Sequence, residues 1–135
     1  MGYTLRDHTA DVAVEASGDT LGETFAAVAD GMAAAMCDAW PDTGERSEVT
    51  VTAENREALL FDYLDELIYE RDVRMVLPVD NEGVVESTDC WQFEGSYRGV
   101  PLDVVDARDL KAVTYSEMVV RETDAGWMAY VVFDV

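Results

Sequence analysis

The sequence predicts an α+β fold, a two-layer sandwich in which two helices pack on one face of a mostly antiparallel sheet. Two stretches in the first half carry apolar residues at three- and four-residue spacing, and alternating runs joined by short turns fill the second half. The 135 residues are read as one domain, 1–135, long enough to bury roughly two thirds of the surface its unfolded chain exposes.

Alternation begins in Asp11-Val12-Ala13-Val14-Glu15-Ala16, so that Val12, Val14 and Ala16 face a core while Asp11, Ala13 and Glu15 face away. Thr20-Leu21-Gly22-Glu23 is a capping-box pattern, and Leu21, Phe25, Val28, Met32 and Met36 then mark an amphipathic helix. Gly31 weakens that helix by about 1 kcal/mol relative to Ala. Residues 38–44 read as a loop and 48–53 as a strand. Asn55 is placed to cap a second helix, in which Leu59, Leu60, Tyr63, Leu64, Leu67 and Ile68 form a broad apolar stripe. Its acids, Glu57, Asp62, Asp65, Glu66 and Glu70, are read as a solvated face. A turn is expected at Asp80-Asn81-Glu82-Gly83 and a strand around 91–97. Ala112 to Arg121 and Trp127 to Asp134 form a closing hairpin, with Gly126 suited to positive φ.

Composition narrows the function. With 29 acidic residues against 9 basic ones the net charge is −20, yet 49% of residues are hydrophobic, so this is no disordered acidic tail. Lys111 is the sole lysine among the basic residues. Acid surplus without lysine suits a protein dissolved in multimolar salt, where charges are screened over ~3 Å at 1 M. No basic cluster is available to neutralise phosphates, so direct nucleic-acid binding is not expected. No apolar stretch approaches the ~18 to 20 residues that span a bilayer, and no signal-like start is present. The chain is therefore read as soluble and cytoplasmic, without a membrane partner. Cys37 and Cys90 are far apart and are expected to be free, largely buried thiols.

Few residues can carry chemistry. Asp134, followed by Val135, offers two acidic groups and backbone carbonyls in a small space, the oxygen ligation that hard cations favour. Spacing alone leaves open whether Asp11 lies beside them. Retaining one lysine, Lys111, hints at a need for a compact ammonium. An independent metal-dependent hydrolase is disfavoured, since no nucleophile is paired with a base and no His/carboxylate triad is present.

His8-Thr9-Ala10-Asp11-Val12, the run Leu110-Lys111-Ala112-Val113-Thr114-Tyr115, and Trp127 with the closing Val131-Val132-Phe133-Asp134-Val135 together resemble the archease family, in order and over the whole chain. The resemblance implies a small α+β sandwich that assists the tRNA-splicing RNA ligase, which joins 2′,3′-cyclic-phosphate or 3′-phosphate ends to 5′-hydroxyl ends. It implies an activator and not an enzyme, promoting guanylylation of the ligase and repeated turnover, and meeting tRNA only through the ligase. It also implies an acidic metal site, commonly holding calcium, with magnesium or manganese as alternatives. Carried onto this sequence, the ligands are Asp11, Asp134 and Val135 through a main-chain or terminal oxygen. Lys111 and His8 become candidate contacts to partner or nucleotide, although His8 reads more simply as a hydrogen-bonded residue fixing the loop before Asp11. One position departs from the family pattern: Ser116 stands where a histidine commonly follows AVTY. A second role associated with the family is chaperone-like modulation of another tRNA-modifying enzyme, such as a cytosine methyltransferase.

Overall fold

The described residues form two capped α-helices and eight strands, with one short 3-10 turn at Leu102–Val104, in the order β1 (Gly2–Asp7), β2 (Asp11–Gly18), α1 (Leu21–Met36), β3 (Glu45–Ala53), α2 (Arg56–Arg74), β4 (Val76–Ser87), β5 (Trp91–Pro101), β6 (Ala112–Val113), β7 (Val119–Thr123) and β8 (Gly126–Asp134). The structure, a computed structural model, describes residues 2–7 and 11–135, and of Arg6 and Asp7 the backbone alone. Every strand pairing is antiparallel. The expected class, two helices against antiparallel strands, is the one adopted, and the strands divide between two hydrogen-bonded sheets. One runs β1-β2-β8-β6 with β7 also on β8, and the other runs β3-β5-β4. Both helices touch both sheets, and their buried residues join those of the strands in one hydrophobic cluster.

The helix starts obey the local code. Thr20 accepts a hydrogen bond from the Glu23 amide at 3.1 Å, and Asn55 accepts one from Ala58 at 2.8 Å. Leu21, Phe25, Val28, Met32 and Met36 are all buried, as are the six apolar residues of the α2 stripe. Gly31 has a packing reason: a Cβ there would lie 2.5 Å from Val14 Cγ1 and 3.1 Å from the Tyr3 ring, so α1 rests directly on β2. Phe25, Tyr63 and Phe93 stack through the interior, the last two with ring centroids 4.0 Å apart.

Several local expectations are corrected. Glu70 is buried, not solvated: Tyr97 donates its hydroxyl to Glu70 Oε1 at 2.9 Å, and Arg74 pairs with the same oxygen at 3.0 Å. Burial, followed by that hydrogen bond, pushes the Tyr97 hydroxyl up to about 12. The turn signal at Asp80-Asn81-Glu82-Gly83 lies inside β4, as a register shift between Val79 and Glu82 with Asp80 at φ 48. Turn-forming residues serve a bulge equally well, because both need a left-handed residue. The bulge is fastened to α1: Asn81 donates its backbone N–H and its Nδ2 to Asp30 Oδ1, each at 2.9 Å. Cys37 is buried as expected, whereas Cys90 is exposed; both are free. The anticipated strand Ala112–Arg121 is broken into β6 and β7, whereas the closing turn is tight, with Thr123 opposite Gly126 at φ 144.

Candidate functional site

Strand β2 pairs with β8 along its whole length, and the register sets Asp11 opposite Asp134, Val12 opposite Phe133 and Ala13 opposite Val132. Val14, Ala16, Val131 and Phe133 belong to the core, with Val12 packed against it. Period-two alternation therefore turns Asp11 and Asp134 to the opposite, outer face of this sheet. Asp11 is half-buried and Asp134 exposed. The two carboxylate-bearing residues named from the sequence are thus cross-strand neighbours.

The other edge of β8 carries Lys111. Its backbone N–H donates to the Asp134 carbonyl at 2.8 Å, Ala112 then pairs with Asp134, and Val113 with Phe133. In an antiparallel strand the N–H and C=O of one residue point to the same side, so those of Asp134 point to β6 and away from β2. Asp11 and Asp134 therefore occupy a non-hydrogen-bonded pair, the register in which facing side chains come closest. Like charges directly opposite repel. Among the described residues no ion pair neutralises Asp11, Asp134 or Lys111.

Two arginines, not singled out in the sequence, hold the segment that brings Lys111 here. Arg71 of α2, buried, donates to the Leu110 carbonyl at 2.9 Å and pairs with Asp72 at 3.0 Å and Asp109 at 3.6 Å. Arg108 donates to the Ala35 carbonyl at 3.2 Å and pairs with Asp38 at 3.0 Å, while its backbone N–H reaches the Met36 carbonyl at 2.6 Å. Basic residues in the last turn of α2 suit the helix dipole, and that was the only local signal for Arg71. Its long-range partner 39 residues away left no trace in the sequence.

After Val113 the chain leaves β8. Thr114 still donates its N–H to Val132 at 3.1 Å, residues 115–118 loop outward with Glu117 at φ 57, and β7 rejoins β8 with Val119 opposite Tyr130. Tyr115 stacks on Phe61 of α2 at 4.2 Å and an interplanar angle of 8°, leaving Ser116 exposed at the apex. The AVTY run thus joins strand, helix and loop beside the two aspartates. His8 lies outside the described residues.

The donor set can be matched to a cation from its chemistry. Among the described residues, no group of three or more His, Cys, Asp or Glu side chains converges as a ready-made cage. A soft, thiolate- or imidazole-seeking ion is therefore poorly served. Two facing carboxylates, with Val135 exposed next to one of them, fit a hard cation that takes its other ligands from main-chain oxygen and water.

A model of the Archease protein family matches residues 3–135. The chain belongs to the archease family. It is 36% identical to protein archease of Archaeoglobus fulgidus, with all of both chains covered, and 34% identical to that of Thermococcus gammatolerans over 96% of this chain and 95% of the relative. The solution structure of Methanobacterium thermoautotrophicum protein 1598 superposes with a TM-score of 0.85 at 29% identity, covering 99% of each chain. A Thermotoga maritima archease described as a possible chaperone shares the fold, with a TM-score of 0.66 at 22% identity, over 96% of this chain and 94% of its own. No described helix of this archease is long and apolar enough to cross a membrane.

Proposed function

We propose that this archease is an accessory activator of a tRNA-splicing RNA ligase, promoting ligase guanylylation and multiple turnover in the joining of 3′-phosphate or 2′,3′-cyclic-phosphate ends to 5′-hydroxyl ends. Family membership supports the reading, and the register that sets Asp11 opposite Asp134 is the observation that carries it. In this reading Asp11, Asp134 and a main-chain oxygen of Val135 hold a divalent ion, calcium first, with magnesium or manganese as alternatives. Such an ion supplies positive charge for phosphate oxygens at the ligase centre. Lys111 is the contact to the partner or its nucleotide, held by its backbone bond to Asp134. The activator works in the cytoplasm of a cell with high internal salt and meets tRNA only through the ligase. The Thermotoga protein's description as a possible chaperone favours a second reading, chaperone-like modulation of another tRNA-modifying enzyme such as a cytosine methyltransferase.

The deciding measurement is ligation by a limiting amount of cognate ligase in concentrated potassium chloride, with and without this protein. The parent chain raises both guanylylation and the number of turnovers, and Asp134→Ala does not. Equal stimulation by parent and variant defeats the metal-dependent reading. If neither stimulates the ligase but the protein is recovered with a methyltransferase, the second reading takes its place.

A further inference from the structure

In a chain of charge −20, the described arginine side chains are nearly all engaged. Arg46, Arg71, Arg74, Arg98 and Arg108 form ion pairs, and Arg56 lies over the Trp127 ring at 5.2 Å. Arg121 alone among them has no such partner within the described residues. It is exposed on β7, opposite Met128 of β8, which in turn faces Ser17 of β2, itself opposite Gly2 of β1. Over this row lies an open depression of about 550 Å³ lined by Thr4, Glu15, Ser17, Arg121, Thr123 and Met128. Gly2 leaves its rim clear, for a Cβ there would meet nothing within 4 Å. The depression is on the same outer face as Asp11 and Asp134 but six residues along β8, roughly 20 Å away at the usual strand rise.

We propose that this depression is a binding site for the phosphate of a small hydroxyl-bearing phosphomonoester. A guanidinium presents a planar fork that grips two oxyanion oxygens at once, and three hydroxyls can rotate to donate to the remaining ones. That donor set suits a tetrahedral anion with three terminal oxygens better than a planar carboxylate. The Glu15 carboxylate has about four acceptor positions, so beside the contact it already makes it can accept from a hydroxyl on the carrier. The carrier is small because the depression is itself lined by the Glu15 carboxylate, and a polyphosphate backbone continuing along the sheet would run toward Asp11 and Asp134. Neither the site nor its ligand depends on the ligase reading.

The test is an amide-resolved NMR titration of the intact protein at constant ionic strength, with inorganic phosphate, with ribose 5-phosphate and with a single-stranded RNA hexamer as separate probes. Saturable shifts are expected at Ser17, Thr123 and Met128 with phosphate and, more tightly, with ribose 5-phosphate. Arg121→Gln weakens both by roughly tenfold or more, the loss expected for a charge-assisted hydrogen-bonded pair, and Ser17→Ala weakens them by less. Absence of saturation, or equal affinity in parent and Arg121→Gln, overturns the site. Tighter, Arg121-dependent binding of the hexamer overturns the assignment to a small ligand.

Discussion

Asp11 and Asp134 face each other across the β2–β8 pair, neither in an ion pair among the described residues, while the Asp134 carbonyl accepts the backbone N–H of Lys111 on the opposite edge. Two like charges in a non-hydrogen-bonded pair destabilise the sheet unless something positive joins them. Asp134→Asn is therefore expected to raise stability in chelator by about 0.2–1 kcal/mol. In millimolar calcium chloride the order reverses, with the parent gaining thermal stability and the variant gaining little. Melting curves with and without calcium check both signs.

Arg71 holds the Leu110 carbonyl, one residue before the only lysine. Arg71→Met leaves that carbonyl buried without its charged donor, which costs about 1.5–3 kcal/mol in denaturant unfolding. It also loosens the segment ahead of β6, so acylation of Lys111 by an amine-reactive reagent, followed by peptide mass mapping, becomes faster. Unchanged labelling would show that Arg71 does not position this segment.

Gly31 contradicts propensity in an informative way. Alanine favours an isolated helix by about 0.8–1 kcal/mol, but here its methyl would press on Val14 and Tyr3. Overpacking typically costs ~1–3 kcal/mol, so Gly31→Ala is expected to lower the urea midpoint with the slope unchanged. A higher midpoint would mean that α1 and β2 can separate freely.

Asp30 carries a pH dependence of unusual sign. Burial raises its carboxyl above the ordinary range; the two hydrogen bonds from Asn81 oppose this, Asp80 adds to it and Arg46 subtracts, with Tyr63 also packed close by. A carboxyl raised on folding binds its proton more tightly in the native state. Its favourable contribution is complete below the unfolded value of 3.8 and is lost as pH rises through the native one. Asp30→Asn keeps an acceptor for Asn81 and removes the buried charge, so it flattens this part of the stability profile and gains most at neutral pH. Chemical denaturation from pH 4 to 8 reads the difference.

Helix starts, apolar stripes and the inward face of β2 were legible in the sequence because each is a local matter of capping, period and side-chain alternation. Asp11, Asp134 and Lys111 could be named, but only from motif and resemblance. The bulge at Asp80, the burial of Glu70 and the break between β6 and β7 were not legible, since each is decided by partners distant in the chain: Asp30, Tyr97 and the edge of β8. Arg71 and Arg121 look alike in sequence, and only burial separates one that fastens Leu110 from one that lines a depression with no ion-pair partner among the described residues.

The amino-acid order by itself thus determined which segments coil, which extend and which faces turn inward, because those choices rest on neighbours within a few residues. Tertiary structure alone decided that the two ends meet, since strand pairing between β2 and β8 joins residues 123 positions apart (134 less 11) and nothing local encodes that register. A one-residue slip in it would turn one of the two aspartates to the core face, which is why the burial of Val14, Ala16, Val131 and Phe133 also fixes the acidic pair.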